Sequence, residues 1–172
     1  MKILNKAIAV GLLIALYSPI AYGLERINLD DDVDCMALNI YHEAKNQSMI
    51  GQVAVALVVM NRVNDNRYPN RICEVIKEGP TRPSWKDPTK EHPIKHRCQF
   101  SWWCDGKSDE PLYDSKAWRR AQDYAYLVLT RRIMDVTEGA THYHASYVRP
   151  AWAKQKTRTT RIETHIFYRW EK

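Results

Sequence analysis

Asn39-Ile40-Tyr41-His42-Glu43-Ala44-Lys45-Asn46 decides how the rest of this chain is read. Together with Met36 and Ala37, the residues Ile40, Tyr41 and Ala44 recur at offsets of three, four and one, the spacing of a buried helix face. Glu43 comes three residues after Ile40 and seven after Met36, so it sits at the edge of that face. A carboxyl placed there is partly desolvated, which disfavours its charged form and raises its pKa. A carboxylic acid that keeps its proton near neutral pH can donate it to a leaving oxygen. From spacing alone the commoner explanation is a boundary residue in a surface ion pair, because structural ion pairs also perturb pKa.

Outward from this stretch the chain reads as helices followed by strands. Asp30, Asp31 and Asp32 place negative charge where a helix starts, with Asp32 or Asp34 as the cap of a first helix over 33–45. Asn46-Gln47 breaks it, and Ser48 caps a second helix carrying Ile50, Val53, Ala54, Leu57, Val58 and Asn61. That helix is apolar on most sides and is therefore expected to be buried. Residues 72–77 form a short helix or turn, ended by Gly79-Pro80. Pro83, Pro88 and Pro93 make 81–97 an irregular excursion. A third long helix spans 114–134, with Trp118, Ala121, Tyr124, Ala125, Val128 and Leu129 on one face and Arg131 and Arg132 near its end. Residues 139–148 and 161–170 read as extended, the second alternating Ile162, Thr164, Ile166, Tyr168 and Trp170 with Glu163, His165, Phe167 and Arg169. The basic stretch 154–158 is the expected loop between two antiparallel strands. The fold class is α+β, mainly α, with a small C-terminal antiparallel sheet.

The chain has 172 residues and a formal charge of +6. It begins with Lys2 and Lys6, an apolar run over 7–17, Ser18-Pro19, and small residues at Ala21 and Gly23, the order of a secretory leader cleaved after Gly23. The run is too short for a comfortable membrane span of about 20 residues, so no stable span remains once the leader is removed. The expected organisation is a signal peptide at 1–23 and one domain at 24–172, exported to the periplasm or secreted, and monomeric. Removing two lysines with the leader leaves a modest positive charge that favours anionic polymers, wall peptides or nucleic acid alike. Export argues against nucleic acid as the main partner. Cys35, Cys73, Cys98 and Cys104 all follow the leader, and an even count in an exported chain suggests disulfides. No Cys-x-x-Cys pair supports a structural zinc site.

Three constellations compete for the chemistry. Glu43 with Gln99, Phe100, Ser101 and Trp102 has the make-up of a sugar-polymer site: an acid for the bridging oxygen, flat rings for the sugars, amides and hydroxyls for their oxygens. Trp103 and Tyr143 are of the same types, although Phe100 and one tryptophan are equally suited to closing the core. His142 and His144 stand two apart on a strand, and His165 lies on its expected partner, so the three suggest a zinc amidase. His42-Glu43 lacks the second histidine of a zincin helix, since position 46 is Asn. Nucleophilic catalysis is weak, because no Gly-x-Ser-x-Gly occurs.

Several blocks taken in order carry a resemblance: Ala37-Leu38-Asn39-Ile40-Tyr41-His42-Glu43-Ala44, Gly51-Gln52-Val53-Ala54-Val55-Ala56, Asn61-Arg62-Val63, Tyr68-Pro69, Cys73-Glu74-Val75-Ile76, Cys98-Gln99-Phe100-Ser101-Trp102, Gly139-Ala140-Thr141-His142-Tyr143-His144, Pro150-Ala151-Trp152-Ala153 and His165-Ile166-Phe167-Tyr168. The chain resembles the SleB-like cell-wall hydrolases. The resemblance implies a lysozyme-like lytic transglycosylase domain acting on peptidoglycan, with Glu43 as the acid. Gln99, Phe100, Ser101, Trp102, Asp105, His142, Tyr143 and His144 are the expected substrate-binding residues, and no cofactor or metal is called for. Asp105, as a second carboxylate, would make the enzyme a muramidase-type hydrolase. A zinc amidase using His142, His144 and His165 and a wall-binding protein without activity are the rival functions. Disulfides are expected to hold the 98–104 loop near the Glu43 helix, with Cys35 tying that helix to the loop or a neighbouring helix and Cys73–Cys98 as the second pair.

Overall fold

The computed structural model describes residues 29–171. The expected leader lies outside the described residues. Helix α1 spans Leu29–Ala44, and its first turn contains Asp30, Asp31 and Asp32. The helix therefore starts before Val33, and these aspartates lie within it, where they complement the positive end of its dipole. Helix α2 spans Met49–Val63, as Ser48 signals. It is buried from Gly51 to Val59, whereas Met49 and Ile50 are exposed. Helix α3 is short, Ile72–Ile76, and helix α4 runs Lys116–Leu129. Helix α4 is shorter than the periodicity suggests because Ser115 caps it, accepting from the Trp118 N–H at 3.1 Å, and Arg131 turns left-handed (φ 54°) just past its end.

The main core packs α1, α2, α3 and α4 together around Met36, Ile40, Val53, Val59, Val75, Ile76 and Ala121, with Phe100 and Trp102 inserted from the loop beyond. A second, smaller cluster joins α2 to the C-terminal sheet through Ala54, Val58, Ala140 and Phe167. Helix α2 is thus buried from two sides, which is why its sequence is apolar nearly all round. Fully burying each such Val or Phe side chain contributes about 1.5–3 kcal/mol.

The 81–97 stretch is more regular than its prolines suggest. Strands β1 (Thr81–Pro83) and β2 (Glu91–Pro93) form an antiparallel hairpin. Pro83 and Pro93 end these strands, where a missing N–H disturbs the ladder least. The C-terminal sheet has three strands, β3 (His142–Ala145), β4 (Thr157–Ile162) and β5 (His165–Arg169), in the order β3-β5-β4 and all antiparallel. The expected loop at 154–158 is displaced, since a 3-10 turn at Ala151–Gln155 leads directly into β4. The reversal comes instead at Glu163-Thr164, within the expected single strand. There Glu163 is left-handed (φ 50°), and its carboxylate accepts the Ser48 N–H at 3.1 and 3.2 Å, capping α2. Gly51 makes this approach possible, because a Cβ there would lie 2.8 Å from the Gln47 Cβ and 3.1 Å from a Glu163 carboxylate oxygen.

The disulfides are Cys35–Cys73 and Cys98–Cys104. Cys35 ties α1 to the neighbouring helix α3. The expected Cys73–Cys98 pair does not form, because Cys98 and Cys104 close their own loop. Among the described residues no helix is long and apolar enough to cross a membrane.

Candidate active site

Glu43 lies in the last turn of α1 and lines a cavity of about 400 Å³. His42, Ser101, Trp102, Asp105, Lys107 and Asp109 form most of the remaining wall. Two elements supply that wall. One is the C-terminal turn of α1. The other is the chain that leaves the Cys98–Cys104 loop, whose Ser101–Cys104 segment is a 3-10 turn.

The loop is fastened to α1 by side chains. The Trp102 indole N–H donates to Asn39 Oδ1 at 3.0 Å, and both residues are buried. The His42 ring stacks on Trp102 with centroids 4.7 Å apart and 14° between planes. His42 Nε2 lies 3.0 Å from the Asp109 carbonyl, which can only accept, so this nitrogen carries the hydrogen. At the loop's root Gly79 packs so closely that a Cβ would meet the Cys98 Cα at 2.9 Å. Gln99 donates its backbone N–H to the Glu78 carbonyl at 2.9 Å.

Among the described residues the carboxyl of Glu43 receives one hydrogen bond, from the Tyr143 hydroxyl to Oε2 at 2.9 Å. Burial raises its pKa above the ordinary carboxyl value, while the Tyr143 hydrogen bond and the positive charge of Arg62 draw it back. The negative end of the α1 dipole adds to the cost of ionising it. Burial, and after it the Glu43 charge, holds Tyr143 protonated. Arg62 is itself buried. Its Nε donates to the Thr141 carbonyl at 2.7 Å, and its guanidinium lies over Phe100 (5.2 Å) and Tyr68 (5.4 Å). The adjacent Asn61 Nδ2 lies 3.0 Å from the Ala140 carbonyl and 3.0 Å from Asp135 Oδ2. The end of α2 therefore holds the entry to β3, and with it Tyr143, against Glu43.

The structure gathers Glu43, Ser101, Trp102 and Asp105 around one cavity and brings Tyr143 to Glu43. Phe100 is only 2% exposed and belongs to the core behind that wall. Trp103 is half-buried beneath the Lys77 ammonium, at 4.8 Å. Gln99 is exposed and does not line the cavity. Asp105 is held by Lys107, whose N–H bonds Oδ1 at 2.8 Å and whose ammonium lies 3.7 Å from Oδ2. Asp109 joins the wall with its pKa raised by burial.

The histidines do not converge. In the β3–β5 register Tyr143 pairs with Phe167 and Ala145 with His165, so His165 shares the face of Tyr143 while His142 and His144 occupy the other. The Tyr143 and His165 rings are 5.1 Å apart. His142 sits among Tyr68, Trp152 and Trp170, and His144 stacks on Tyr168 at 5.2 Å. The histidine triad of the rival zinc reading is therefore split across the sheet. His42, Arg62, Lys107 and Asp109 are site residues to which the sequence assigns no role. Asn61-Arg62 belongs to the blocks that carry the family resemblance, but its spacing discloses no function.

The family Hydrolase_2, described as Cell Wall Hydrolase, matches residues 46–168, a span that begins just after Glu43. A spore cortex-lytic enzyme of Halalkalibacterium halodurans is 43% identical over 49 residues, 28% of this chain and 15% of the relative. The Bacillus subtilis spore cortex-lytic enzyme is 39% identical over 49 residues, 28% of this chain and 16% of its own. The chain spans less than a fifth of the length of these curated relatives. In structure it is similar to the catalytic domain of the Bacillus cereus SleB protein, with TM-score 0.57 and 24% identity over 81% of this chain and 91% of that one. It is also similar to the catalytic domain of the germination-specific lytic transglycosylase SleB from Bacillus anthracis, with TM-score 0.58 and 24% identity over 88% and 99%. These likenesses show the fold, and it is the lysozyme-like class expected.

Proposed function

The chain belongs to the cell wall hydrolase family, and from that premise we propose that it cleaves the glycan of peptidoglycan as a lytic transglycosylase. The bond cut joins N-acetylmuramic acid to N-acetylglucosamine. The observation that carries this reading is Glu43, whose carboxyl lines the cavity, has its pKa raised by burial, and accepts a hydrogen bond from the Tyr143 hydroxyl.

Tyr143 occupies Oε2, so Oε1 is the oxygen available to carry the proton toward substrate. Glu43 gives this proton to the bridging oxygen as the C1–O bond breaks and positive charge develops at C1 of the muramic ring. The hydrogen bond from Tyr143 and the charge of Arg62 then stabilise the carboxylate left behind. That carboxylate takes the proton of the C6 hydroxyl of the same ring as its oxygen attacks C1. A 1,6-anhydro end forms, and Glu43 regains its proton. One carboxylate performs both steps, whereas inverting and retaining hydrolases normally need two.

Asp105 lines the same cavity and is the residue through which a hydrolase would work. Mass spectrometry of digested sacculi separates the two: anhydromuramic ends are expected, and reducing muramic ends without anhydro products would overturn the transglycosylase reading. The two disulfides suit an oxidising compartment, which supports action in the periplasm or outside the cell.

A further inference from the structure

A second cavity lies on the outer face of the C-terminal sheet, away from Glu43. It has a volume of about 720 Å³. Its floor is His144, Ile166 and Tyr168, and its side is the segment from Val148 through Pro150 and Ala151 to Lys154. The floor is rigid. His144 Nδ1 lies 2.8 Å from the Ala145 carbonyl and must donate to it, which leaves Nε2 to accept from the Tyr168 hydroxyl at 3.0 Å. Trp152 packs edge-on against Tyr168 at 5.4 Å and braces the turn above.

The charges of this groove have one sign. Arg149 and Lys154 line it, both are exposed, and neither makes an ion pair among the described residues. None of the described residues lining it is acidic. Ser146 adds a hydroxyl, and its backbone is fixed by an N–H bond to the Thr164 carbonyl at 2.7 Å. A floor of two rings and Ile166, with two unpaired cations at its side, fits a short chain that carries carboxylates at intervals between small apolar groups.

We propose that this groove binds the carboxylate-bearing peptide stems of peptidoglycan, with Arg149 and Lys154 meeting the carboxylates and Val148, Ala151 and Ile166 meeting the alanine methyls. The inference rests on the reading that the chain works on peptidoglycan, and deepens it: glycan is cut on one side of β3 while the attached peptide is gripped on the other. Charge complementarity selects this occupant over a neutral glycan, which would leave both cations without partners.

The test uses the free tripeptide L-alanyl-γ-D-glutamyl-meso-diaminopimelate, titrated into the purified protein and followed by amide NMR shifts. Saturable binding is expected, with the shifts concentrated at 146–154 and 166–168. The double variant Arg149→Glu/Lys154→Glu should bind about tenfold more weakly, since two exposed ion pairs are lost and replaced by repulsion. Raised salt should weaken wild-type binding. Absence of binding, shifts centred on Glu43, unchanged affinity in the double variant, or equal competition by inorganic phosphate would each overturn the proposal. The tripeptide contains no glycosidic bond, so an inactive chain that binds it sinks only the transglycosylase reading. An active chain that ignores it sinks only this one.

Discussion

The two faces of strand β3 differ in charge and in chemistry. Tyr143 turns toward an enclosure whose wall holds three carboxylates, Glu43, Asp105 and Asp109, with Lys107 among them. His144 turns toward a groove lined by Arg149 and Lys154 and by no acid. Alternation along one strand thus places Tyr143, bonded to Glu43, on one face and the groove of Arg149 and Lys154 on the other. Arg62 marks the boundary. It supports β3 by holding Thr141, and its charge reaches Glu43 without overcoming the effect of burial. The proposed proton donor and the proposed anion site thus lie on opposite faces of one small sheet.

Glu43→Gln should have the largest effect on this division. Loss of a positioned general acid removes roughly 10²–10⁴ of the rate, and loss of the returning base removes more, so lysis of purified sacculi followed by turbidity should fall to background. The fold and tripeptide binding should stay as in the wild type. Sustained lysis would show that Glu43 is not the acid, and lost peptide binding would show that the two faces are not independent.

Tyr143→Phe should slow cleavage by about tenfold, the share of one hydrogen bond to a charged group, about 1.5 kcal/mol. Its pH profile is the sharper readout. Glu43 must be protonated to act, so activity declines as pH rises through its raised pKa. Tyr143 stabilises the ionised form, and removing it should move that decline to higher pH. A lower rate with an unmoved profile would make Tyr143 a packing residue only.

The two disulfides offer a smaller and more local contrast. Chain-entropy arguments give about 4 kcal/mol for closing the 38-residue separation of Cys35–Cys73 and about 2 kcal/mol for the six-residue one of Cys98–Cys104. Thermal unfolding of Cys35→Ala/Cys73→Ala and Cys98→Ala/Cys104→Ala should show that order. Only the second variant should lose cleavage out of proportion to its stability, because its loop carries Ser101 and Trp102. Equal loss of cleavage in both would mean that α1, rather than the loop, limits the cavity.

The helices and the place of Glu43 at the edge of one are legible in the residue spacing, whereas its reading as the acid comes from the family resemblance. Repeats at three and four residues record which side of a helix avoids water, and Ser48 records where one begins, so α1, α2 and the edge position of Glu43 need no coordinates. Local signals hold less well where long-range contacts set the backbone. Three prolines hide the β1–β2 hairpin, two of them because they stand at its strand ends. The turn at Glu163 depends on a helix N-terminus 115 residues earlier. Pairing is beyond sequence altogether: four cysteines fit three connectivities, and only the packing of α1 on α3 brings Cys35 to Cys73. His165 looks like a partner of His142 and His144 because all three fall on adjacent strands, yet which face each occupies follows from register, and a shift of one residue reverses it. Arg62 leaves no trace in periodicity, since its role comes from a carbonyl 79 residues away and from the rings of Tyr68 and Phe100. Burial patterns are written locally because every turn of helix meets water or core, whereas tertiary structure alone decides which distant groups share a desolvated space.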